Sequence, residues 1–182
     1  GNGKNPDDGI YVLIKEIVDN CIDEYVMGFG DKIEININEN SVSIRDYGRG
    51  IPLGKVVECV SKINTGGKYD SIAFKKSVGL NGVGTKAVNA LSEKFRVRSI
   101  RDNQTILLEF SKGKLIYKSG IESSDKKNGT LVEFEADSSI FKNYKYVDEF
   151  LENQFLFYAY LNFGLVIKYN NNNFSSKEGL KD

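Results

Sequence analysis

The chain opens with a segment whose apolar residues recur every three or four positions. Between Ile10 and Met27 this spacing predicts an amphipathic helix. Its apolar members are Leu13, Ile14, Ile17, Val18, Cys21, Ile22 and Tyr25. Because helical residues advance by about 100° each, Glu16, Asn20 and Asp23 form a narrow polar stripe beside the apolar face. The first element is therefore predicted to carry core residues and a polar stripe side by side.

A different pattern follows, in which apolar and polar residues alternate. This alternation predicts two strands joined by a turn at 38–41, with Val42 and Ile44 on the core face of the second strand. Beyond the hairpin we predict helices over 55–64, 83–91 and 147–162 and an irregular loop over 65–77. Further strands are predicted over 95–101, 105–111, 115–118 and 130–136, with a last hairpin around 170–173. This order predicts an α+β fold, a two-layer α/β sandwich of helices on one face of a mixed, mostly antiparallel sheet.

The composition limits the kinds of functional site that the chain can contain. A length of 182 residues is typical of one domain. The 25 basic and 25 acidic side chains balance, so no net charge attracts the chain to DNA or to a membrane. Histidine is absent, which excludes histidine triads and histidine metal sites. The two cysteines, Cys21 and Cys59, have no metal-ligand spacing and are expected to be buried thiols. Without a signal peptide or membrane-spanning run, a cytoplasmic domain is expected, and the abrupt ends suggest a fragment of a longer chain.

Asp46 is a carboxylate on a predicted core face. Strand parity aligns it with Val42 and Ile44, and a buried carboxylate is costly unless it is hydrogen-bonded. An exocyclic amine of a purine would satisfy it, but so would capping of the turn at Tyr47 and Gly48. The nearby glycines at 48 and 50 indicate backbone packed against a ligand. The apolar residues that follow, Ile51 and Pro52, could lie under the purine ring.

The polar stripe of the first helix offers a second piece of chemistry. Glu16 and Asn20 stand one helical turn apart, on one face. An amide oxygen can be a neutral ligand of Mg²⁺ that bridges phosphates, and a carboxylate beside it can deprotonate an attacking water. An ordinary solvated face explains an isolated pair equally well. Asn20 in mid-helix, with Asp19 and Asp23 nearby, favours the functional interpretation because asparagine is a mediocre helix former.

A glycine-rich segment is the third part of the chain with candidate chemistry. Gly79, Gly82 and Gly84 precede or open a predicted helix, and helix N-termini bind phosphate through unpaired N–H groups. The spacing is that of neither a Walker P-loop nor a dinucleotide fingerprint. The alternative to phosphate binding is an ordinary loop that connects two elements. The loop before it, with Lys68 and other lysines, is interpreted as a lid or as a solvated loop.

In combination, these segments resemble the N, G1 and G2 boxes of the GHKL, or Bergerat-fold, ATPases. They are most similar to the ATP-binding domain of bacterial type IIA topoisomerase B subunits, the gyrase B and topoisomerase IV B group. The matching segments, in the family's order, are 16–24, 45–52, 66–68, 78–92 and 128–130. Nearly the whole chain is covered.

The resemblance implies ATP and Mg²⁺ as cofactors and assigns roles to residues. Glu16 would be the general base, Asn20 the Mg²⁺ ligand and Asp46 the adenine contact, which Thr130 would share. Lys68 and the amides from Leu80 to Gly84 would hold phosphates. Asp23 and Arg49 match other pocket positions, with Glu24 as the expected partner of Arg49. The remaining expected nucleotide contacts are Gly50, Ile51, Pro52, Ile63, Gly66, Gly67, Asn81, Gly82, Val83 and Thr85.

Some positions depart from the family. Asn81 replaces a usual histidine, and Phe74 falls where a lid tyrosine is common. No arginine is found around Leu107 and Leu108, where many gyrases have one bordering the pocket.

For the full-length protein the resemblance implies DNA, the topoisomerase A-type subunit and a second B subunit as partners, with no membrane. The family's N-terminal arm and transducer domain would lie outside this chain. We therefore expect a monomeric ATP-binding domain with poor turnover. The catalytic domain of a histidine kinase and a nucleotide-binding switch without turnover are the alternatives.

Overall fold

The computed structural model describes residues 1–61 and 81–176, with the side chains of the helix that begins at Asn81 described from Gly84 onward. Its helices are α1 (Gly9–Val26), α2 (Val56–Val60, after a 3₁₀ turn at Leu53–Lys55), α3 (Asn81–Ala90) and α4 (Asp148–Leu161). Its strands are β1 (Lys32–Asn38), β2 (Ser41–Asp46), β3 (Ser92–Arg101), β4 (Gln104–Ser111), β5 (Lys114–Lys118), β6 (Glu122–Ser123), β7 (Gly129–Ala136), β8 (Val166–Tyr169) and β9 (Asn172–Ser175).

Helix α1 confirms the three-to-four periodicity of the sequence. Its apolar face is buried, and its polar stripe stays partly accessible. The buried residues are Ile10, Tyr11, Leu13, Ile14, Ile17, Val18 and Cys21. One helix thus contributes both to the core and to a surface beside it.

The nine strands of the described residues form one sheet in the order β5-β4-β3-β7-β2-β1-β8-β9, with β6 beside β4. Every pairing is antiparallel except that of β1 with β8. In the centre, Ile44 lies opposite Ile35 on one side and Val132 on the other. Since Arg45 pairs with Leu131, the register brings the end of β2 beside the start of β7.

The helices cover one face of this sheet. α1 packs on β2, α3 on β3 and β4, and α4 on β8 and β9, with the apolar core between the layers. The opposite face is polar, and there Arg96 forms ion pairs with Glu109 at 3.1 Å and Glu133 at 3.8 Å. The predicted two-layer sandwich with a mixed, mostly antiparallel sheet is confirmed.

Two helix boundaries differ from the sequence prediction. Helix α2 ends at Val60, since Ser61 leaves helical geometry, although its hydroxyl and amide still donate to the Val57 carbonyl at 2.6 and 3.0 Å. Valines are weak helix formers, so the local sequence does not favour a longer helix. Helix α3 covers Asn81–Ala90, whereas the sequence predicts a helix over 83–91.

Candidate functional site

A cavity of about 470 Å³ lies between α1, α2 and the ends of β2, β3 and β7. Apolar and polar side chains share its walls, and the loop that follows β2 completes it. The lining residues are Ile17, Asn20, Cys21, Asp23, Glu24, Met27, Ile44, Asp46, Arg49, Gly50, Ile51, Pro52, Cys59, Val60, Thr85, Arg101, Thr130 and Val132.

Asp46 lies on the cavity wall and is only 8% exposed. As strand parity predicts, it shares the buried face of β2 with Val42 and Ile44. Its Oδ1 accepts hydrogen bonds from the backbone amides of Gly48 at 2.9 Å and Thr130 at 3.1 Å. The carboxylate therefore does cap its turn, and it also ties the end of β2 to the start of β7.

The electrostatics of Asp46 are set mainly by its burial. Loss of water raises the pKa of the carboxyl, while the amides of Gly48 and Thr130 act in the opposite direction. Burial also raises the pKa of the neighbouring Cys21 thiol well above its usual value, and the Asp46 charge adds to that effect. Any group that donates a hydrogen bond to this carboxylate would favour its ionised form.

The segment after Asp46 is held against β3. Gly50 has a φ of +80°, and a side chain there would overlap the carbonyl oxygen of Ile100. The Ser99 hydroxyl donates to the Ile51 carbonyl at 2.7 Å, and Arg101 Nη1 donates to the Gly50 carbonyl at 2.8 Å. These contacts fix Ile51 as an apolar part of the cavity wall.

Arg49 closes the cavity toward the end of α1. Its guanidinium donates to the Glu24 carboxylate through Nε and Nη2 over 3.0–3.3 Å, and it stacks 4.4 Å from the centre of the Phe29 ring. Gly48 permits this contact, because a Cβ there would come within 2.9 Å of Glu24 Cγ. The expected pairing of Arg49 with Glu24 is confirmed.

At the other end of the cavity, the polar stripe of α1 meets the first turn of α3. Asn20 Nδ2 donates a hydrogen bond to Thr85 Oγ1. One turn earlier, the Glu16 carboxylate lies directly against Gly84, where any side chain would overlap its Oε2. Gly84 thus leaves room for the Glu16 carboxylate in its present position. Glu16 itself lies beside the cavity rather than on its lining.

Half of the expected nucleotide contacts lie together on the cavity wall. They are Asn20, Asp23, Asp46, Arg49, Gly50, Ile51, Pro52, Thr85 and Thr130. The expectations for Ile63, Gly66, Gly67, Lys68 and Leu80 lie outside the described residues, as does the predicted loop over 65–77, and for Asn81, Gly82 and Val83 only the helical backbone is described.

Comparison with known proteins identifies the family of this chain. A model described as histidine kinase-, DNA gyrase B- and HSP90-like ATPase matches residues 5–139, well over half of the chain. The chain belongs to this ATPase family. No helix within the described residues has the length and apolar character needed to span a membrane.

Individual relatives of this ATPase family lie close in sequence and in fold. The B subunit of DNA topoisomerase 4 from Borreliella burgdorferi is 62% identical over 182 residues, which is 100% of this chain and 30% of the relative. The B subunit of DNA gyrase from Campylobacter jejuni is 36% identical over 179 residues, covering 93% of this chain and 23% of the relative. The chain thus spans less than a third of either relative. The similarity to type IIA topoisomerase B subunits is confirmed.

A solved structure shows the same architecture. The crystal structure of the 43K ATPase domain of Thermus thermophilus gyrase B, in complex with an aminocoumarin, superposes with a TM-score of 0.71 at 30% identity. The match covers 92% of this chain and 46% of that chain. The Bergerat fold expected from the motifs is thereby confirmed.

Several residues of this ATPase cavity are absent from the sequence-based set. Arg101, at the end of β3, lines the cavity. The sequence analysis considered such an arginine only around Leu107 and Leu108, which lie on β4. The turn at 102–103 marks the end of β3 and could have directed attention to Arg101. Cys21 and Cys59 also line the cavity, which no local pattern could have indicated.

The donor atoms at this site suit a metal that arrives with a nucleotide. Among residues 1–61 and 81–176, no three His, Cys, Asp or Glu side chains are grouped as a metal site. Mg²⁺ at nucleotide sites is held by one or two protein ligands together with phosphate oxygens and water. Asn20, oriented by Thr85 and facing the cavity, meets that requirement.

A larger groove of about 720 Å³ lies elsewhere on the sheet and contains none of the expected site residues. Its charged side chains include Arg96, which pairs with both Glu109 and Glu133 on the polar face. The smaller cavity is the better candidate because its polar groups converge beside an apolar wall.

Proposed function

We propose that this domain binds ATP in the 470 Å³ cavity as the nucleotide-binding part of a type IIA DNA topoisomerase B subunit. The observation that carries the proposal is Asp46, a nearly buried carboxylate on the cavity wall beside the apolar side chains of Ile44 and Ile51. Purine amines are suited to such an acceptor, since the amine donates and the carboxylate only accepts.

The adenine end is formed by Asp46, Thr130 and the Gly50–Pro52 segment. Asp46 accepts the hydrogen bond from the exocyclic amine, and Thr130, tied to the same carboxylate through its backbone, shares the contact. Ile51 and Pro52 lie along the ring. Arg49 borders the cavity and is kept in place by Glu24.

The phosphate end is formed where α1 meets α3. Glu16 orients and deprotonates the water that attacks the terminal phosphate. Asn20 would hold Mg²⁺ through its amide oxygen, with Asp23 beside it on the cavity wall. The N-terminal amides of α3 would bind the phosphates, and Lys68 with Gly66 and Gly67, outside the described residues, is proposed to contribute as well. When bound, Mg²⁺ neutralises phosphate charge.

In the full-length protein, we propose that ATP binding closes a gate for DNA and that hydrolysis resets it, together with the A-type subunit and a second B subunit. The topoisomerase relatives support this assignment over a histidine kinase. We further propose that the isolated domain is monomeric and turns ATP over slowly.

Calorimetric titration of this 182-residue chain tests the proposal. A non-hydrolysable ATP analogue with Mg²⁺ should bind with 1:1 stoichiometry, and the matching GTP analogue should bind at least tenfold more weakly. The guanine ring presents a carbonyl where adenine carries its amine, so two acceptors would face each other at Asp46. Equal affinity for both nucleotides would contradict the role of Asp46.

A further inference from the structure

Arg45 reaches from β2 to the loop that leads into β7. Its guanidinium donates to three backbone carbonyl groups: Nη2 to that of Lys127 at 2.8 Å, and Nη1 to those of Asn128, at 3.1 Å, and Asp46. Arg45 does not line the cavity. Its contacts therefore lie outside the cavity wall, on the two segments that carry Asp46 and Thr130.

The loop that Arg45 contacts has no apolar side chain to hold it. Residues 122–128 are all polar, and all but Ser124 are exposed. Burial of apolar surface therefore does not fix the path of this loop, and polar contacts must do so. The side chain of Asn128 ties the loop to the end of β3, because its oxygen accepts a hydrogen bond from the Asp102 amide at 3.0 Å. Arg45 supplies a tie to β2.

The backbone pairing of β7 extends further on one side than on the other. On the β3 side it continues to Gly129. On the β2 side it ends where Leu131 lies opposite Arg45. Beyond that pair, two side chains link the strands: Asp46, which accepts from the Thr130 amide, and Arg45, which donates to the loop. The position of the Thr130 amide relative to β2 thus depends on both.

Tyr47 holds the guanidinium in this orientation. The centre of its ring lies 4.1 Å from Cζ of Arg45, the distance of a cation–π contact. Its hydroxyl donates to the carboxylate of Glu34 on β1, and this bond fixes the ring. Because a guanidinium presents its N–H donors in fixed directions within one plane, an arginine seated on this ring keeps its donors aimed at the loop carbonyls.

We propose that Arg45 is a positioning residue for nucleotide recognition, which holds the Thr130 amide against Asp46 and so sets the acceptor that an adenine amine would meet. The nucleotide part of this inference rests on the proposed ATP site; the effect on Thr130 does not. The Thr130 amide favours the ionised form of Asp46, and only the ionised carboxylate presents acceptors alone on both oxygens.

The first readout is the Thr130 amide itself, in the nucleotide-free chain. Arg45→Met keeps an unbranched side chain without charge or donors. Arg96→Met is the matched control, because Arg96 lies on the same polar face, pairs with Glu109 and Glu133 at 3.1 and 3.8 Å, and does not line the cavity. By NMR, hydrogen exchange of the Thr130 amide should be about tenfold faster in Arg45→Met, the size of one lost hydrogen bond, and unchanged in Arg96→Met.

Calorimetry gives the second readout. Arg45→Met should bind the ATP analogue about tenfold more weakly and should lose part of its discrimination against the GTP analogue, while Arg96→Met keeps both. A change in global stability alone would not alter the ratio of the two affinities. Tyr47→Leu, which removes the ring, should change both quantities in the same direction as Arg45→Met. Tyr47→Phe keeps the ring and should change them less.

Two outcomes would overturn the inference: unchanged exchange of the Thr130 amide in a folded Arg45→Met chain, or equal losses of affinity in Arg45→Met and Arg96→Met. If Arg45→Met does not fold, Tyr47→Leu decides by the same readouts. Failure of the wild-type chain to bind the ATP analogue would contradict the proposed function instead. Faster exchange of Thr130 in Arg45→Met would still support the positioning role in that case, so the two failures are distinguishable.

Discussion

The backbone amide of Thr130 donates a hydrogen bond to Asp46 Oδ1 across 3.1 Å, although 84 residues separate them in the chain. The same oxygen accepts from Gly48 at 2.9 Å. Close packing at Gly129 makes this possible, because a side chain there would overlap Arg45 and the carbonyl oxygen of Asp46. The proposed adenine contact is thus fixed by backbone groups on two neighbouring strands.

Replacing Gly84 by alanine should separate catalysis from stability. The new methyl group would displace the Glu16 carboxylate, while alanine is the better helix former by about 1 kcal/mol. We expect the free energy of unfolding to be unchanged or raised, with ATP hydrolysis by the full-length protein lowered about 100-fold, the range of a lost general base.

The matched control for this variant is Gly54→Ala, since no atom of the described residues lies within 4 Å of a Cβ at Gly54. Its hydrolysis rate should equal that of the wild type. Undiminished hydrolysis in Gly84→Ala would show that Glu16 is not the base, or that its position does not depend on Gly84.

The Ser99 hydroxyl should support the cavity wall. It is fully buried and donates to the Ile51 carbonyl at 2.7 Å. Ser99→Ala leaves that carbonyl without its donor, which should lower the free energy of unfolding by about 1–3 kcal/mol and weaken binding of the ATP analogue severalfold. Urea denaturation and calorimetry measure the two effects.

Ser92 offers a closely matched control. It is equally buried and donates to the Val88 carbonyl at 2.7 Å, but it does not line the cavity. Ser92→Ala should lose similar stability and keep its affinity for the analogue. Equal affinity losses in both variants would mean that Ser99 acts only through global stability.

The raised pKa of Asp46 makes stability depend on pH. Since the folded-state pKa lies above the ordinary value of 3.8, the folded chain holds this proton more tightly than the unfolded chain. The contribution is therefore fully present below pH 3.8 and is lost as pH rises through the folded-state pKa. Compared with Asp46→Asn, the wild type should lose stability across that interval in urea titrations. A difference between the two chains that stays constant with pH would contradict the shift.

Much of the fold follows from local pattern. The apolar spacing of α1 and the alternation in β1 and β2 reflect burial on one face, and this is the property that the periodicity of a sequence reports. Asp46 was identified in the same way, because strand parity alone places it with core residues. The motif order then indicated the Bergerat fold.

Other features depend on contacts that no local pattern contains. Helix α3 packs on α1, and α2 ends at Val60 although no proline or glycine follows directly. Arg101 reaches the cavity because β3 ends beside Gly50, a relationship set by the order of strands in the sheet. Cys21 and Cys59 meet at one cavity for the same reason.

The most direct measurement for the central claim is calorimetric titration of Asp46→Asn with the ATP analogue. The variant keeps an oxygen for the Gly48 and Thr130 amides but presents an N–H₂ donor toward the adenine amine. Asp137→Asn is the control, because Asp137 is also buried and accepts hydrogen bonds from Ser139, but it does not line the cavity. We predict that Asp46→Asn weakens binding about 10- to 100-fold, the size of a lost charged hydrogen bond of about 1.5–3 kcal/mol, while Asp137→Asn keeps wild-type affinity. Wild-type affinity in a folded Asp46→Asn chain would contradict the account.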